Sequence, residues 1–493
     1  MIESLPWNME SPNLSVMLSI DHLNYFYQGN GKYDSTMTRA EAMHLGLRTI
    51  RAAAGSDTFI IGCGCPIGSS VGFVDGMRVS CDTGPSWVPE FPLPKSDDGT
   101  LPALRGMLRN TMSRSPFGHR WWHNDPDCLL LGESTKLTDD EVVSAASIVA
   151  LTGGMFLLSD DMEKVSEARL SIAKRIFPLL CATAVPLDLH STTNRGMPSI
   201  LRLWCAEQLP SSEDVTSDAL TEKSATNSMN SVKSLQDKNL KLTPDPYSRE
   251  RSCFPVVSGL GSWTVVSLSN WLDHAAHLSV SFSALVSHSI DDFIAMGAPL
   301  RCPTTGDSTP GEMSEHGFHL YSFWSSEYVW IPHQVLRVQV GYYFCVQLRA
   351  YLCCVSLALC VVQVLVDNKA LTKKLRPHQT EIFHIKPANT AHPQYIGSNL
   401  HFSCGFEVEL FEWSGKHVLV RLKNTHKKKG FIVVYLPDSK GLDDAAVTVN
   451  NKHGSFEIMG RPLIGENHGR VLRVYVEVKG SGVKSDGLIS ILW

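Results

Sequence analysis

The sequence predicts an α/β protein whose first half forms a parallel β-sheet and whose second half consists of antiparallel strands. Between residues 15 and 182, short apolar runs without polar alternation are separated by longer amphipathic runs. This pattern is typical of buried parallel strands that are covered by helices on both faces. After residue 251, short and often alternating runs are divided by Gly, Pro, Asn or Asp, which predicts an antiparallel, sandwich-like β-domain.

The first half contains alternating strand and helix signals. Strands are predicted at residues 15–21, 58–62, 76–82, 128–132 and 155–160, and helices at 39–54, 103–114, 139–151 and 163–182. Several strands run into an acidic residue, and the carboxyl ends of the strands are the catalytic edge of a (β/α) barrel. A closed barrel needs eight strands, so a doubly wound sheet of five strands is the alternative, although no Gly-rich phosphate turn follows any strand.

Length and composition predict about three domains, at roughly 150 residues for each. We place an α/β domain at 1–208, a Ser- and Thr-rich linker at 209–250 and a β-domain at 251–493, which an apolar, Cys-rich segment interrupts at about 335–367. The net charge of −5 gives no basic footprint for nucleic acid. Thirteen cysteines in a chain of 493 residues argue against a dense disulfide framework.

Residues 350–366 form an uncharged apolar run. A bilayer-spanning helix needs about 20 such residues, so we expect a buried helix, a pair of strands or a segment foreign to the mature protein in preference to a membrane helix. The N-terminus, MIESLPWNME, lacks the apolar core of a secretory signal, and a cytoplasmic location is the default expectation. The sequence leaves a homo-oligomer open.

Three ordered blocks resemble the alpha-galactosidases of glycoside hydrolase family 36, which belongs to a clan of (β/α)8-barrel glycosidases. The blocks are TFIIGCGCPIGSSVGFVDGMRVSCDTGPSW at residues 58–87, WHNDPDCL at 122–129 and GGMFLLSDD at 153–161. The resemblance covers residues 15–182 and extends more loosely to 393–405. It implies a partial TIM-type barrel, with strands four to eight, that lacks the first three strands and the N-terminal sandwich of the family.

The resemblance implies a retaining alpha-galactosidase that acts on terminal alpha-galactosides in carbohydrate catabolism. The implied partner is a small oligosaccharide or galactoside, and no cofactor is needed. Retaining glycosidases use two carboxyl groups roughly 5–5.5 Å apart, of which one attacks the anomeric carbon and the other protonates the leaving oxygen. With strands one to three missing, half of the pocket is absent and weak or no turnover is expected. A catalytically inactive carbohydrate-binding or interaction remnant is therefore the alternative.

Four residues of the first block match positions to which the family gives a role. The resemblance makes Asp82 the general acid/base and Arg78, four residues earlier, a ligand of substrate hydroxyls, which suits its rigid fork of donors. Cys63 matches a position that lines the pocket, and a small apolar filler at a strand end is its other interpretation. Trp87 is either a sugar platform or a ring that packs under the loop.

The resemblance implies that Asp21 is the nucleophile, within the run Ser19-Ile20-Asp21-His22-Leu23. A second alignment with the family places Asn24 at the position of the nucleophile. The family has a Lys two residues before the nucleophile and an aromatic residue after it, whereas this chain has Ser19 and His22. Loss of that Lys removes a cation that stabilises the carboxylate form of the nucleophile and binds sugar hydroxyls.

The second block is rich in His and Asp, but we expect no metal there. His119, His123, Asp125 and Asp127 lack a recognised spacing of metal ligands. We expect Asp125 to cap a turn and Asp127 to accept hydrogen bonds from loop amides.

Overall fold

The computed structural model describes residues 17–20, 36–90, 101–180, 182–189, 196–205, 257–286, 316–331, 364–367, 370–437, 446–459, 469–480, 482–483 and 485–493. It is a mixed α/β structure that is rich in sheet and has few helices. The described helices are α1 (Arg39–Ala54), α2 (Ile67–Ser70), α3 (Leu104–Arg114), α4 (Asp139–Thr152), α5 (Glu167–Ile176) and α6 (Phe282–Val286).

The first region contains parallel strands that neighbour one another in chain order. They are β1 (Met17–Ile20), β2 (Phe59–Gly62), β3 (Gly76–Arg78), β4 (His123–Asp125), β5 (Cys128–Leu129) and β6 (Leu157–Leu158). Strands β1 to β4 form one sheet in the order β1-β2-β3-β4, and β5 pairs with β6 in another. A doubly wound sheet reverses its strand order, and the strands described here show no reversal. The partial barrel stays a prediction.

Four predicted elements are shorter than expected. The strand expected at 76–82 ends at Arg78 (β3), and the strand expected at 155–160 spans only Leu157–Leu158 (β6). The strand expected at residues 128–132 begins at Cys128 as predicted but ends at Leu129. Pro126 and the positive φ of Asp127 (78°) separate it from β4, a strand that was not predicted. The helix expected at 163–182 is shorter, since Ser166 caps its start by accepting a hydrogen bond from an amide of α5. It ends before Phe177, which precedes a proline and is extended, as the residue before proline usually is.

Local sequence signals explain why α1 and α4 begin where they do. Thr38 with Glu41, and Thr138 with Glu141, form capping boxes that satisfy amides of the first turn in each helix. Helix α4 ends at Gly153, which has a left-handed φ of 63°. A β-carbon at Gly153 would collide with the carbonyl oxygen of Ala182, so this close approach requires glycine.

The predicted antiparallel pairing after residue 251 is confirmed. A six-stranded sheet has the order β12-β11-β15-β9-β8-β7, and β10-β14-β13 forms a three-stranded sheet. These strands are β7 (Val185–Pro186), β8 (Ile200–Cys205), β9 (Trp263–Ser269), β10 (Ala276–Ser281), β11 (Phe318–Ser322), β12 (Glu327–Ile331), β13 (Val364–Asp367), β14 (Ala370–Leu375) and β15 (Thr380–Pro387). Because β8 pairs with β9, one sheet contains strands from both sides of the predicted linker.

Two further antiparallel sheets share one buried apolar cluster. Their orders are β16-β19-β23-β22 and β17-β18-β24-β20-β21. The strands are β16 (Gln394–Ser398), β17 (Val408–Ser414), β18 (His417–Leu422), β19 (Lys428–Leu436), β20 (Ala446–Val449), β21 (Lys452–His453), β22 (Phe456–Met459), β23 (Arg470–Val478) and β24 (Leu488–Leu492). The sandwich-like arrangement and the domain boundaries stay predictions.

Several sequence expectations concern residues outside the described ranges. The linker at 209–250 lies there, as do residues 335–363 of the apolar, Cys-rich segment. The end of that segment contributes β13 to a sheet. Within the described part of the chain, no helix is both long enough and apolar enough to cross a membrane.

The start of α4 is joined to the turn between β14 and β15 by polar contacts. Arg376 donates to both carboxylate oxygens of Asp140 at 2.8 and 2.6 Å. His378 Nδ1 donates to Glu141 Oε1 at 2.7 Å, and Ser144 donates to the carbonyl oxygen of His378 at 2.6 Å. These contacts hold the helix of the parallel region against the six-stranded sheet.

This junction predicts a pH dependence of stability. Burial works to raise the pKa of Glu141, but hydrogen bonds from His378 and Thr138 outweigh it and lower that pKa. A depressed pKa means that the folded state binds fewer protons. Glu141 therefore contributes stability above its unfolded pKa of about 4.3 and loses that contribution as the pH falls through its lower folded pKa.

The measurement is the free energy of unfolding of wild type and Glu141→Gln between about pH 5.5 and pH 3. Each unit by which the pKa is depressed corresponds to about 1.4 kcal/mol. We expect the advantage of wild type to be full at the upper end and to shrink below about pH 4. Glu163→Gln is the control, because Glu163 is exposed. An advantage that is constant over the whole range would contradict the role of Glu141.

Candidate active site

Arg78 lies at the carboxyl end of β3 and organises three carboxylates. Its Nε donates to Asp125 Oδ2 at 3.0 Å, and Nη1 donates to Asp82 Oδ1 at 3.1 Å. Nη2 lies 3.2 Å from Asp127 Oδ1. Because β3 and β4 are parallel and Arg78 is opposite Asp125, the four side chains meet at the carboxyl edge of the sheet.

The carboxylates around Arg78 differ strongly in exposure. The side chains of Asp125 and Asp127 are 5% and 12% exposed, whereas that of Asp82 is 71% exposed. Burial works to lower the pKa of Arg78, but the charges of Asp125 and Asp127 outweigh it and raise that pKa. The guanidinium is therefore a fixed positive charge, and Asp82 is the member of the group that faces solvent.

Asp125 and Asp127 also fix the loops near Asp82. The amide of Asp127 donates to Asp125 Oδ1 at 2.8 Å, and the amide of Thr83 donates to Asp127 Oδ2 at 2.7 Å. The two residues thus accept hydrogen bonds from loop amides, as expected from the sequence. Their ion pairs with Arg78 were not predicted, although the spacing of the two aspartates in WHNDPDCL was the available signal.

Cys63 follows β2 and is half-buried. In its thiolate form, Cys63 would carry a charge close enough to Arg78 to help raise the pKa of that residue. This position at the carboxyl edge agrees equally with a residue that lines the pocket and with a small apolar residue that fills space at the strand end. The other described cysteines, Cys65, Cys81, Cys128, Cys205 and Cys404, are also thiols.

Asp21 lies outside the described residues, as does the rival position Asn24. The strand that precedes Asp21 is described, and its last residue, Ile20, is the partner of Gly62 in parallel pairing. The separation of Asp21 from Asp82 is therefore not part of the described geometry, and the assignment of Asp21 stays a prediction.

Trp87 had two interpretations in the sequence, a sugar platform and a ring that packs under the loop. Its side chain is buried, at 8% exposure. The indole stacks on His378, with ring centroids 3.9 Å apart, and on Trp271 at 6.1 Å. A sugar platform needs an exposed ring face, so these contacts favour the packing interpretation. In this interpretation, Trp87 packs the loop after Asp82 against the turn between β14 and β15.

The remaining polar residues of the matched blocks have structural partners. Asp160 accepts from the amides of Leu131 at 2.6 Å and Gly132 at 2.9 Å, which fixes the loop after β5. Burial lowers the pKa of His123, and the nearby charge of Asp75 opposes that shift. No group of three or more His, Cys, Asp or Glu residues suited to a metal ion occurs in the described ranges.

No family model matches the chain. Among solved structures, the chain is similar to an alpha-galactosidase from Thermus thermophilus in complex with stachyose, with 23% identity and a TM-score of 0.29. This similarity covers 33% of the chain and 34% of the Thermus protein. The chain thus matches about a third of the length of that relative.

Two other solved glycosidases are similar to larger parts of the chain. One is alpha-galactosidase I from Mortierella vinacea, with 11% identity, a TM-score of 0.36, and coverage of 70% of this chain and 62% of that protein. The other is a GH27 β-L-arabinopyranosidase from Geobacillus stearothermophilus, with 11% identity, a TM-score of 0.37, and coverage of 76% and 58%. These three solved proteins are glycosidases.

Proposed function

We propose that the chain belongs to a retaining glycoside hydrolase of the family 36 type that acts on terminal alpha-galactosides. The single observation that carries this proposal is the pairing of Arg78 with Asp82 at 3.1 Å on the carboxyl edge of a parallel sheet. These two residues stand within the sequence block that resembles the family most closely. Asp82 is the exposed carboxylate of the group, as a residue that meets substrate must be.

In the proposed mechanism, Asp21 attacks the anomeric carbon and Asp82 protonates the leaving oxygen. Asp82 then removes a proton from the water that hydrolyses the covalent intermediate. Strand β2 separates β1 from β3, so the two strands are about 10 Å apart. Side chains that approach each other across this gap can reach the separation of roughly 5–5.5 Å that a retaining enzyme needs.

Arg78 fits a double role in this proposal. A guanidinium has five N–H donors, and the described carboxylates engage Nε, Nη1 and Nη2. The two terminal nitrogens carry two hydrogens each, so the carboxylates among the described residues leave one donor on each for sugar hydroxyls. Arg78 can therefore hold Asp82 and bind substrate at the same time. Cys63, which follows the strand between β1 and β3, would line the floor of this pocket.

The second candidate is a carbohydrate-binding remnant without turnover. The observation that favours it is the replacement of the family's Lys and aromatic residue by Ser19 and His22 beside Asp21. Without that Lys, the carboxylate of Asp21 would lose a stabilising cation. Calorimetry with galactose and with an alpha-galactoside distinguishes the candidates, because the remnant would bind both sugars and release nothing.

The experiment that tests hydrolysis is an NMR assay of purified protein with an aryl alpha-galactoside. A retaining mechanism releases alpha-galactose first, and the beta anomer follows only by slow mutarotation. Initial release of the beta anomer would overturn the proposed mechanism. Sugar binding without any release would favour the remnant, and neither binding nor release would reject both candidates.

A further inference from the structure

We infer that Asp127 is a positioning residue for Asp82, which it holds both through Arg78 and through the backbone of Thr83. That Asp82 is an acid/base rests on the proposed function, whereas the contacts of Asp127 are observed in the structure. Asp127 lies in a different block of the sequence from Asp82, and the sequence does not show that the two residues are linked.

The first path passes through the guanidinium of Arg78. Asp125 engages Nε at 3.0 Å and Asp127 lies 3.2 Å from Nη2, so two corners of a planar, rigid group are held by buried carboxylates. Fixing two corners fixes the direction of the third. The third corner, Nη1, is the one that donates to Asp82 at 3.1 Å. Asp127 thereby restrains an exposed carboxylate that it does not touch.

The second path passes through the backbone next to Asp82. Asp127 Oδ2 accepts a hydrogen bond from the amide of Thr83 at 2.7 Å, and the carbonyl oxygen of Asp82 accepts one from the amide of Ala103 at 3.2 Å. The peptide that joins Asp82 to Thr83 is therefore held at both of its polar groups. One carboxylate restrains both the side chain and the main chain of the proposed acid/base.

The conformation of Asp127 itself suits this role. Its φ of 78° lies in the left-handed region, where Asp and Asn are enriched among non-glycine residues. Its amide donates to Asp125 Oδ1 at 2.8 Å, which locks the turn between β4 and β5. The carboxylate of Asp125 thus binds both Arg78 and the backbone of Asp127.

Two variants of Asp127 separate the two paths. Asp127→Asn tolerates the positive φ and keeps an oxygen for the amide of Thr83, but it removes the charge that faces Arg78. Asp127→Gly accepts the same φ without strain and removes both contacts. Asp160→Asn is the matched control, because Asp160 also fixes a loop through two amides and has no described contact with Arg78 or Asp82.

The first measurement needs no turnover. Hydrogen exchange of the Thr83 amide, followed by mass spectrometry on overlapping peptides, should be roughly 5- to 10-fold faster in Asp127→Gly, because the hydrogen bond that protects this amide is lost. Asp127→Asn should change it by less than about threefold. Protection of Thr83 that survives in the glycine variant would overturn the inference, whether or not the protein hydrolyses a galactoside.

The second measurement compares two alpha-galactosides, one with an alkyl leaving group and one with a dinitrophenyl leaving group. A misplaced acid slows the first, bond-breaking step only for the substrate whose leaving group needs protonation, and kcat/KM reports that step. Asp127→Gly should therefore lose about 100-fold in kcat/KM on the alkyl substrate and less than about threefold in kcat/KM on the dinitrophenyl substrate. Asp160→Asn should affect both substrates equally. An equal loss on both substrates in Asp127→Gly would overturn the inference, whereas a wild type without turnover would refute the proposed function only.

Discussion

Replacing Asp82 by alanine is expected to slow the hydrolysis of an alkyl alpha-galactoside by about 10²–10⁴-fold, which is the contribution of general acid–base catalysis. A dinitrophenyl galactoside needs no proton on its leaving oxygen, so its covalent intermediate should still form and accumulate. Hydrolysis of the intermediate should be slow, since no base activates the water. Asp82 is free to meet substrate because its side chain is 71% exposed.

The product formed with azide identifies the role that Asp82→Ala has lost. An azide anion needs no base, so it attacks the accumulated intermediate directly and releases the enzyme. Two successive inversions at the anomeric carbon give retention, and the expected product is alpha-galactosyl azide. Asp161→Asn is the control, because Asp161 is an exposed carboxylate that pairs with Lys164 at 2.7 Å. Unchanged hydrolysis of the alkyl substrate by Asp82→Ala would refute the role of Asp82.

Replacing Asp21 by glycine is expected to reduce hydrolysis of both substrates by more than about 10³-fold, because the covalent intermediate depends on this nucleophile. Azide can enter the space left by the carboxylate and attack the substrate itself. This single displacement inverts the anomeric centre, so the expected product is beta-galactosyl azide. The opposite configuration of the two azides distinguishes Asp21 from Asp82 by chemistry as well as by rate.

The rival nucleophile Asn24 supplies the matched control for Asp21. Asn24→Gly should leave hydrolysis within about threefold of wild type, since a side-chain amide is not the carboxylate that the mechanism needs. Full hydrolysis by Asp21→Gly would contradict the assignment of Asp21. Beta-galactosyl azide from Asn24→Gly would place that position at the anomeric carbon instead.

Much of the first region was readable from the sequence because its signals are local. The capping boxes at Thr38 and Thr138 mark the starts of α1 and α4, and apolar runs mark strands that pair in parallel. The end of helix α5 could not be predicted from hydrophobic periodicity, because the apolar pattern continues beyond Ile176, where the helix ends before Pro178. Proline is incompatible with the interior of a helix, and this constraint outweighs the hydrophobic pattern.

The site was readable only in part, because its contacts join residues that are distant in sequence. Arg78 and Asp82 are four residues apart and were both assigned to the site, whereas the hydrogen bond from Arg78 to Asp125 spans 47 residues. Periodicity does not specify such a contact. The contacts of Trp87 are equally distant in sequence, since its ring stacks on His378, which lies in the turn between β14 and β15.

The sequence by itself determined the alternation of strands and helices, the antiparallel second half, and the acidic residue four positions after Arg78. Hydrophobic period, capping residues and turn residues encode these features within short stretches of chain. Only the tertiary structure decided that Asp125 and Asp127 form ion pairs with Arg78 and that Trp87 is buried. The physical reason is that parallel pairing of β3 with β4 brings distant carboxylates to one edge, where a buried charge needs a partner.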